Sequence, residues 1–257
     1  YQTYENIELI IIDDASTDNS LDIIKKYTNK FNNVKIIELK KNMGCYFARN
    51  LGIKISNGSL ICFQDADDIS INIRIEKQVK EIIENNYDFV GSNIIRCSQF
   101  IKRYTKNIIN EESLLNNKPR LGLVTLMFKK DMFKKYGYFN DYYHHSMDQE
   151  FIDRLYYINN NEICSDHTHE LLNKNKFNKF KKIDEVLYLC QPINKFNISS
   201  KFNRGHKNYI RHLYLENIKK NNAYNYIFPF KLIHFIENNF GEIKINNAPE
   251  LNFLKYF

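Results

Sequence analysis

The chain of 257 residues has 43% hydrophobic and 26% charged residues, a balance that is ordinary for a globular protein and excludes disorder as its dominant state. Its net charge of +7 favours anionic partners such as nucleotides, nucleic acids or anionic lipids without choosing among them. Its 5 cysteines form no CxxC pair, which argues against a disulfide framework or a thiolate zinc site and favours a reducing compartment. No apolar run approaches the roughly 20 residues that span a bilayer. We therefore expect a cytoplasmic protein without a transmembrane segment.

Strands and helices alternate in the first part of the chain. Apolar runs predict strands at residues 8–12, 34–39, 59–63 and 88–95, and apolar residues at helical spacing predict a helix between each pair of strands. Such alternation is typical of βαβ units, and short apolar runs suit strands that are buried on both faces. The sequence therefore predicts an α/β fold in which helices flank a mostly parallel sheet.

The pattern is looser in the second part of the chain. It predicts a strand at 121–128, helices at 130–136 and 148–159, a loop at 174–182, and amphipathic helices at 206–220 and 230–240. Because no Pro/Gly-rich linker divides the chain, we expect one domain over residues 1–200 and a helical C-terminal extension over residues 201–257.

Acidic residues follow two of the predicted strands directly. Asp13 and Asp14 come after the first strand, and residues 65–68 include three acids after the third. Because ligands of open α/β sheets bind at the carboxyl edge of the strands, we expect both clusters to line one crevice. Clustered carboxylates suit Mg²⁺ or Mn²⁺, which leave positions for water and substrate phosphates. The alternative, that these residues only cap helices and fill turns, is favoured for Asp18 and Asn19 but not for residues 65–68.

Several segments, in order along the chain, together resemble one family. They are residues 2–20 around Asp13-Asp14-Ala15-Ser16, residues 42–58 around Ala48-Arg49-Asn50, Phe63-Gln64-Asp65-Ala66-Asp67-Asp68 with residues 74–78, and residues 126–151 ending in Met147-Asp148-Gln149-Glu150-Phe151. These segments resemble the family 2 glycosyltransferases of the GT-A fold. Each motif is weak alone, but their order over residues 2–155 is specific.

The resemblance implies donor-side roles for five residues. Asp14 would accept a hydrogen bond from the nucleotide base, most often a uracil N–H, and Asp13 would support its loop. Arg49 would face the nucleotide or its phosphates, the alternative being an exposed helix arginine. Asp65 and Asp67 would form the DxD pair, in which Asp67 is the best direct metal ligand and Asp65 faces the sugar or ribose. The cofactor implied is Mn²⁺ or Mg²⁺.

The resemblance implies that Asp148 is the general base that deprotonates the acceptor hydroxyl, so that a single displacement inverts the anomeric carbon. The plain alternative is that Asp148 caps the helix that follows, and both can hold. Glu150 would point elsewhere. The implied function is transfer of a sugar from a nucleotide-diphospho-sugar, most often a UDP-sugar, to a glycan, lipid-linked or protein acceptor.

Two departures from the family favour a second hypothesis. The chain starts at Tyr1 and lacks the family's first strand and helix, so we expect a cropped domain with an unpaired inner sheet edge. Residues 187–193 lack the Arg and His that many relatives carry. The second hypothesis is therefore a degenerate module that binds nucleotide or glycan without turnover. A nucleic-acid-binding domain is the weakest alternative, because the lysines are scattered and no such motif is present.

Overall fold

A computed structural model describes residues 2–96, 120–141, 147–160, 171–172, 177, 179–190 and 244–246. The elements in chain order are β1 (Leu9–Asp13), α1 (Ser20–Thr28), β2 (Val34–Glu38), α2 (Cys45–Ile55), β3 (Leu60–Cys62), β4 (Ile69–Ser70), α3 (Arg74–Asn85), β5 (Phe89–Arg96), β6 (Arg120–Leu121), a 3₁₀ turn (Leu123–Thr125), β7 (Met127–Lys129), α4 (Asp131–Tyr136), α5 (Met147–Asn160), β8 (Phe180–Cys190) and β9 (Lys244–Asn246).

The strands form two sheets, one with the order β1-β2-β9 and the other with the order β3-β7-β5-β8-β4, to which β6 adds by pairing with β5. This confirms an α/β fold with helices flanking a sheet. The pairing is mixed rather than mostly parallel. β1 and β2 are parallel, as are β5 and β8, whereas β3–β7, β5–β7, β5–β6 and β4–β8 are antiparallel. β6 and β7 run one after the other along β5 in the opposite direction, so the chain that returns after β5 adds antiparallel pairs without a βαβ crossover.

The strand predicted at 121–128 is interrupted. β6 and β7 both pair with β5, but the 3₁₀ turn Leu123–Thr125 separates them. The buried Thr125 hydroxyl accepts a hydrogen bond from Ser92 N (2.9 Å) and donates to Gly122 O (2.6 Å). A local side-chain bond of this kind competes with the strand ladder, and the apolar pattern does not reveal it.

The loop predicted at 174–182 is wrong for its last residues, because β8 begins at Phe180 and runs to Cys190 between β5 and β4. Phe180 is buried against Phe89, with a ring-centroid distance of 4.7 Å. Lys181 and Lys182, two of the lysines that indicated a loop, lie on a strand that starts within an aromatic core, so burial of Phe180 outweighs their loop preference.

One helix, α2, packs on both parts of the fold. Its Phe47 and Leu51 join Ile37 and Leu39 in one buried cluster, whereas Tyr46 and Ile53 belong to the larger aromatic core. The alternation of these two sets around the helix explains why α2 buries residues on more than one face.

The C-terminal extension contributes a strand. β9 pairs antiparallel with β2, with Ile245 opposite Ile37. These three residues are therefore extended rather than helical, and the helices predicted at 206–220 and 230–240 lie outside the described residues. In the part of the chain that the structure covers, no helix is both long and apolar enough to cross a membrane.

The Glu8 carboxylate connects the two sheets. Within the described residues β1 pairs only with β2, and β3 only with β7. Glu8, just before β1, accepts hydrogen bonds from Gly58 N (2.6 Å) and from Asn57 N in the loop before β3, and forms an ion pair with Lys35 of β2 (2.9 Å). Burial alone raises the pKa of Glu8, but these contacts outweigh it and hold the pKa below its ordinary value.

Glu8→Gln is expected to lower the free energy of unfolding by about 1–3 kcal/mol, because hydrogen bonds to a charged group are stronger than those to a neutral amide. The lowered pKa stabilises the fold at neutral pH, and this stabilisation is lost as the pH falls through that pKa. Thermal melts should therefore show a gap between wild type and variant at pH 7 that closes in acid. The exposed Glu5→Gln is the control; a gap that persists unchanged in acid contradicts the account.

Candidate active site

The acidic residues after β3 form a tight turn. Asp68 N donates to Asp65 O (3.2 Å), and the Gln64 side-chain amide donates to Asp65 O (2.9 Å) and Asp68 O (3.1 Å). Asp65 is partly exposed and Asp67 is exposed in this turn. The turn therefore presents two carboxylates at the end of a strand, as the sequence predicts.

Arg49 of α2 pairs with this turn. Its Nη2 lies 2.8 Å from Asp65 Oδ1, and its guanidinium lies over the rings of Tyr46 (5.1 Å to the centroid) and Phe63 (5.6 Å). Burial disfavours its charge, but Tyr46, Asp65 and Asp148 together hold the pKa of Arg49 above its ordinary value. Arg49 is therefore a fixed cation at the acidic turn and not an exposed helix arginine.

Asp148 lies in the first turn of α5 and faces α2. Its Oδ1 accepts hydrogen bonds from the Tyr46 hydroxyl (3.2 Å) and from Gln149 N (3.0 Å). The second contact is local to the helix, which begins at Met147, so Asp148 is a first-turn residue and not its N-cap. Asp148 and Arg49 border a small cavity whose other walls are apolar; the lining residues are Phe63, Leu123, Val124, Leu126, Phe128 and Phe139.

Asp13 and Asp14 shape the loop after β1. Asp13 is buried, and its Oδ2 accepts from Ser16 N (3.1 Å) across Ala15, which has a left-handed φ of 60°. Asp14 accepts from Met43 N (2.7 Å) through Oδ1 and from Gly44 N (2.8 Å) through Oδ2. A carboxylate at the start of α2 is favoured by the helix dipole. Both oxygens of Asp14 are thus engaged with backbone, while a carboxylate keeps further acceptor capacity for a ligand.

The three acidic groups converge on the start of α2. Burial raises the pKa of the Cys45 thiol, and Arg49 opposes this, while the carboxylates of Asp148, Asp65 and Asp14 raise it further. The contacts of α2 show the same arrangement, because Gly44 N bonds Asp14, Arg49 pairs with Asp65 and the Tyr46 hydroxyl bonds Asp148. The structure therefore brings Asp14, Asp65 and Asp148 to one helix.

Asn50 ties α2 to the segment before α5. The Asn50 amide is buried, donates to Phe139 O (2.8 Å) and accepts from Phe139 N (3.1 Å). This paired bond fixes the segment that leads towards α5 relative to Arg49. The motif that contains Asn50 was part of the resemblance, but no local pattern indicated that Phe139 is its partner.

Glu150 points away from the site, as expected. It is fully buried and pairs with Arg154 (2.8 Å), which also donates to Tyr138 O (2.6 Å) and Tyr136 O. This ion pair anchors α5 to the preceding segment. Its role is structural because neither group is exposed to a ligand.

The carboxylates of the acidic turn suit a divalent ion whose remaining coordination positions are filled by a bound ligand and water. Within the described ranges, no group of three or more His, Cys, Asp and Glu side chains could enclose a metal alone. Mg²⁺ is held typically by one or two carboxylates together with substrate phosphates and water. Asp65 and Asp67 supply such a pair, and Arg49 would share the diphosphate charge.

Sequence reasoning missed Tyr46 and Tyr188, whose hydroxyls bond Asp148 and the acidic turn, because a tyrosine within an apolar pattern is indistinguishable from a core residue. The sequence also offers His144 and His145, just before Asp148, as acceptor-site candidates and His167 and His169 as a metal pair, although a plain loop is favoured for both. All four lie outside the described residues. Residues 187–190 belong to β8, and 191–193 are also outside that part.

Comparison with known proteins finds relatives that are named as glycosyltransferases. The Haemophilus influenzae protein named an uncharacterized glycosyltransferase is 40% identical over 96 residues, which is 37% of this chain and 38% of that protein. The Escherichia coli UDP-Glc:alpha-D-GlcNAc-diphosphoundecaprenol beta-1,3-glucosyltransferase WfaP is 45% identical over 102 residues, or 39% of each protein. The chain thus spans less than half of the length of these relatives.

The fold has a solved counterpart. The crystal structure of Staphylococcus aureus TarS 1–349 in complex with UDP-GlcNAc superposes with a TM-score of 0.60 at 22% identity, over 85% of this chain and 60% of that one. This likeness shows a shared GT-A-like α/β fold. A family model described as Glycosyl transferase family 2 matches residues 1–187, which is most of the chain. The chain therefore belongs to glycosyl transferase family 2.

Proposed function

We propose that this chain carries the catalytic site of an inverting glycosyltransferase that moves a sugar from a nucleotide-diphospho-sugar to an acceptor hydroxyl. The observation that carries the proposal is that α2 bonds three acids, through Gly44 N to Asp14, Arg49 to Asp65 and the Tyr46 hydroxyl to Asp148. A nucleotide-sugar has a polar base, an anionic diphosphate and a reacting carbon. The cluster offers a hydrogen-bond acceptor (Asp14), a cation (Arg49) and a general base (Asp148) for these three parts.

Arg49 is suited to the diphosphate. Its guanidinium is fixed by Asp65 and by two aromatic rings, so little side-chain entropy is lost when a phosphate binds. Asp14 supports the adjoining loop and is the candidate acceptor for the base, and Asp13 holds the turn that carries it. A uracil base, and hence a UDP-sugar, is our proposal for the donor. WfaP is named for UDP-Glc, and the TarS structure is a complex with UDP-GlcNAc.

Asp148 is suited to the acceptor hydroxyl. Tyr46 and Gln149 both donate to Oδ1, and this orients the carboxylate. Oδ2 is then the oxygen that we assign to proton removal from the acceptor as its oxygen attacks the anomeric carbon. Attack opposite the departing diphosphate inverts that carbon. Mn²⁺ or Mg²⁺ held by Asp67 and Asp65 would supply neutralising charge to the diphosphate leaving group.

The acceptor belongs to the same proposal. The name of WfaP gives a lipid-linked sugar as its acceptor, and we propose a glycan or glycoconjugate acceptor here, which includes lipid-linked and protein-linked forms. We propose a cytoplasmic location, because the cysteine content suits a reducing compartment. We propose that nucleic acids are not among its partners.

The donor proposal is tested by ligand-induced thermal stabilisation. UDP with Mn²⁺ at millimolar concentration is expected to raise the melting temperature, because a ligand that binds only the folded state stabilises it by mass action. Asp67→Ala should abolish the Mn²⁺-dependent part of the shift, whereas the exposed Asp22→Ala of α1 should retain it. No shift with UDP, GDP, dTDP or CMP, each with Mn²⁺, contradicts a nucleotide-sugar site.

The base proposal is tested by separating binding from turnover. Asp148→Asn should bind UDP with Mn²⁺ as wild type does but lose about 100-fold or more in UDP release from UDP-glucose, UDP-galactose or UDP-GlcNAc, since a positioned base contributes roughly 10²–10⁴. Asp131→Asn, also in a helix first turn but 87% exposed, is the matched control. Equal rates for Asp148→Asn and wild type contradict the base role. Binding without any turnover by wild type favours the non-catalytic binding module.

A further inference from the structure

Tyr188 lies directly beneath the acidic turn. It belongs to the carboxyl-terminal part of β8, where it pairs with Ser70 of β4 and with Ile94 of β5. Its side chain is fully buried, yet its hydroxyl reaches the turn. A buried phenol needs hydrogen-bond partners, so what it bonds is informative.

The hydroxyl holds the turn at its first residues. It accepts hydrogen bonds from Asp65 N (3.0 Å) and from the Gln64 side-chain amide (3.2 Å). The backbone amide of Asp65 is thereby fixed at the point where the chain leaves β3. The Asp65 carboxylate is fixed separately by Arg49, so the residue is held from both sides.

A buried cation supports the same arrangement. The Arg74 guanidinium stacks on the Tyr188 ring (4.9 Å to the centroid) and donates to Phe63 O (3.1 Å) and Ser70 Oγ (2.8 Å), the residues on either side of the turn. Ser70 Oγ donates in turn to Gln64 Oε1 (2.5 Å). Both ends of the turn are therefore connected to one buried pair, Arg74 and Tyr188.

We propose that Tyr188 is a positioning residue that fixes the acidic turn of residues 64–68 in the geometry that binds a divalent ion together with a nucleoside diphosphate. The inference rests on the proposed function for its ligand, but the contact itself is independent of it. Because the turn is held before the ligand arrives, less ordering is required when two carboxylates bind the ion. Tyr188 touches no reacting atom and acts through Asp65.

The test compares Tyr188→Phe with wild type and with Tyr136→Phe. The first variant removes one hydroxyl and keeps the ring on Arg74. The second alters another largely buried tyrosine, whose recorded contacts with the described residues are made by its backbone oxygen and ring. Amide hydrogen exchange by NMR reports the Asp65 amide without any ligand, and calorimetry measures UDP affinity with and without Mn²⁺.

Tyr188→Phe is expected to speed exchange of the Asp65 amide about tenfold or more. It should weaken UDP affinity in Mn²⁺ by a similar factor, leave affinity without Mn²⁺ unchanged, and Tyr136→Phe should change neither. A general loss of folding would weaken both affinities equally, so the split identifies positioning. An unchanged Asp65 exchange rate, or an unchanged Mn²⁺-dependent affinity in a folded variant, overturns the proposal.

Two further results are decisive. If wild type binds no nucleotide, the proposed function fails, and the exchange rate of Asp65 still decides whether Tyr188 holds the turn. If Tyr188→Phe does not fold, the exposed Gln64→Ala removes the other bond to the same hydroxyl. Faster exchange at Asp65 and Asp68 in that variant supports the network, and unchanged exchange overturns it.

Discussion

The ion pair between Arg49 and Asp65 is the contact on which the site depends, because it joins a helix to a turn that would otherwise be held only at its base. Carboxylates gathered at a sheet edge repel one another unless a cation lies between them. Arg49 supplies that cation from within the chain, clamped over two rings. Its fixed position sets the distance between the acidic turn and Asp148.

Helix α2 contacts both the donor-side acids and Asp148. Its start is bound by the Asp14 carboxylate, Tyr46 and Arg49 face the two other acids, and Asn50 pairs with the backbone of Phe139. In each of these contacts, one partner is a backbone group or a charged side chain that is at least partly shielded from water. Removal of the other partner would leave that group without its hydrogen bond. The site is thus part of the core packing rather than an addition to a finished fold.

Local sequence signals predicted most of the described elements, whereas they did not predict the contacts between distant residues. Apolar periodicity located β1, β2, α2 and α3, and the position of acids after strands indicated the site edge, because both signals are local. The break at Thr125, the strand at Phe180 and the role of Tyr188 depend on partners many residues away. A hydroxyl or a ring has no local signature that names its partner, so composition and spacing could not reveal them.

The most direct measurement is a crystal structure of the chain with UDP and Mn²⁺. The account predicts the diphosphate within hydrogen-bond distance of Arg49, the ion on the turn that carries Asp65 and Asp67, and the base of the nucleotide beside Asp14. A nucleotide bound away from the start of α2, with the Arg49–Asp65 pair facing only solvent, would contradict the central claim.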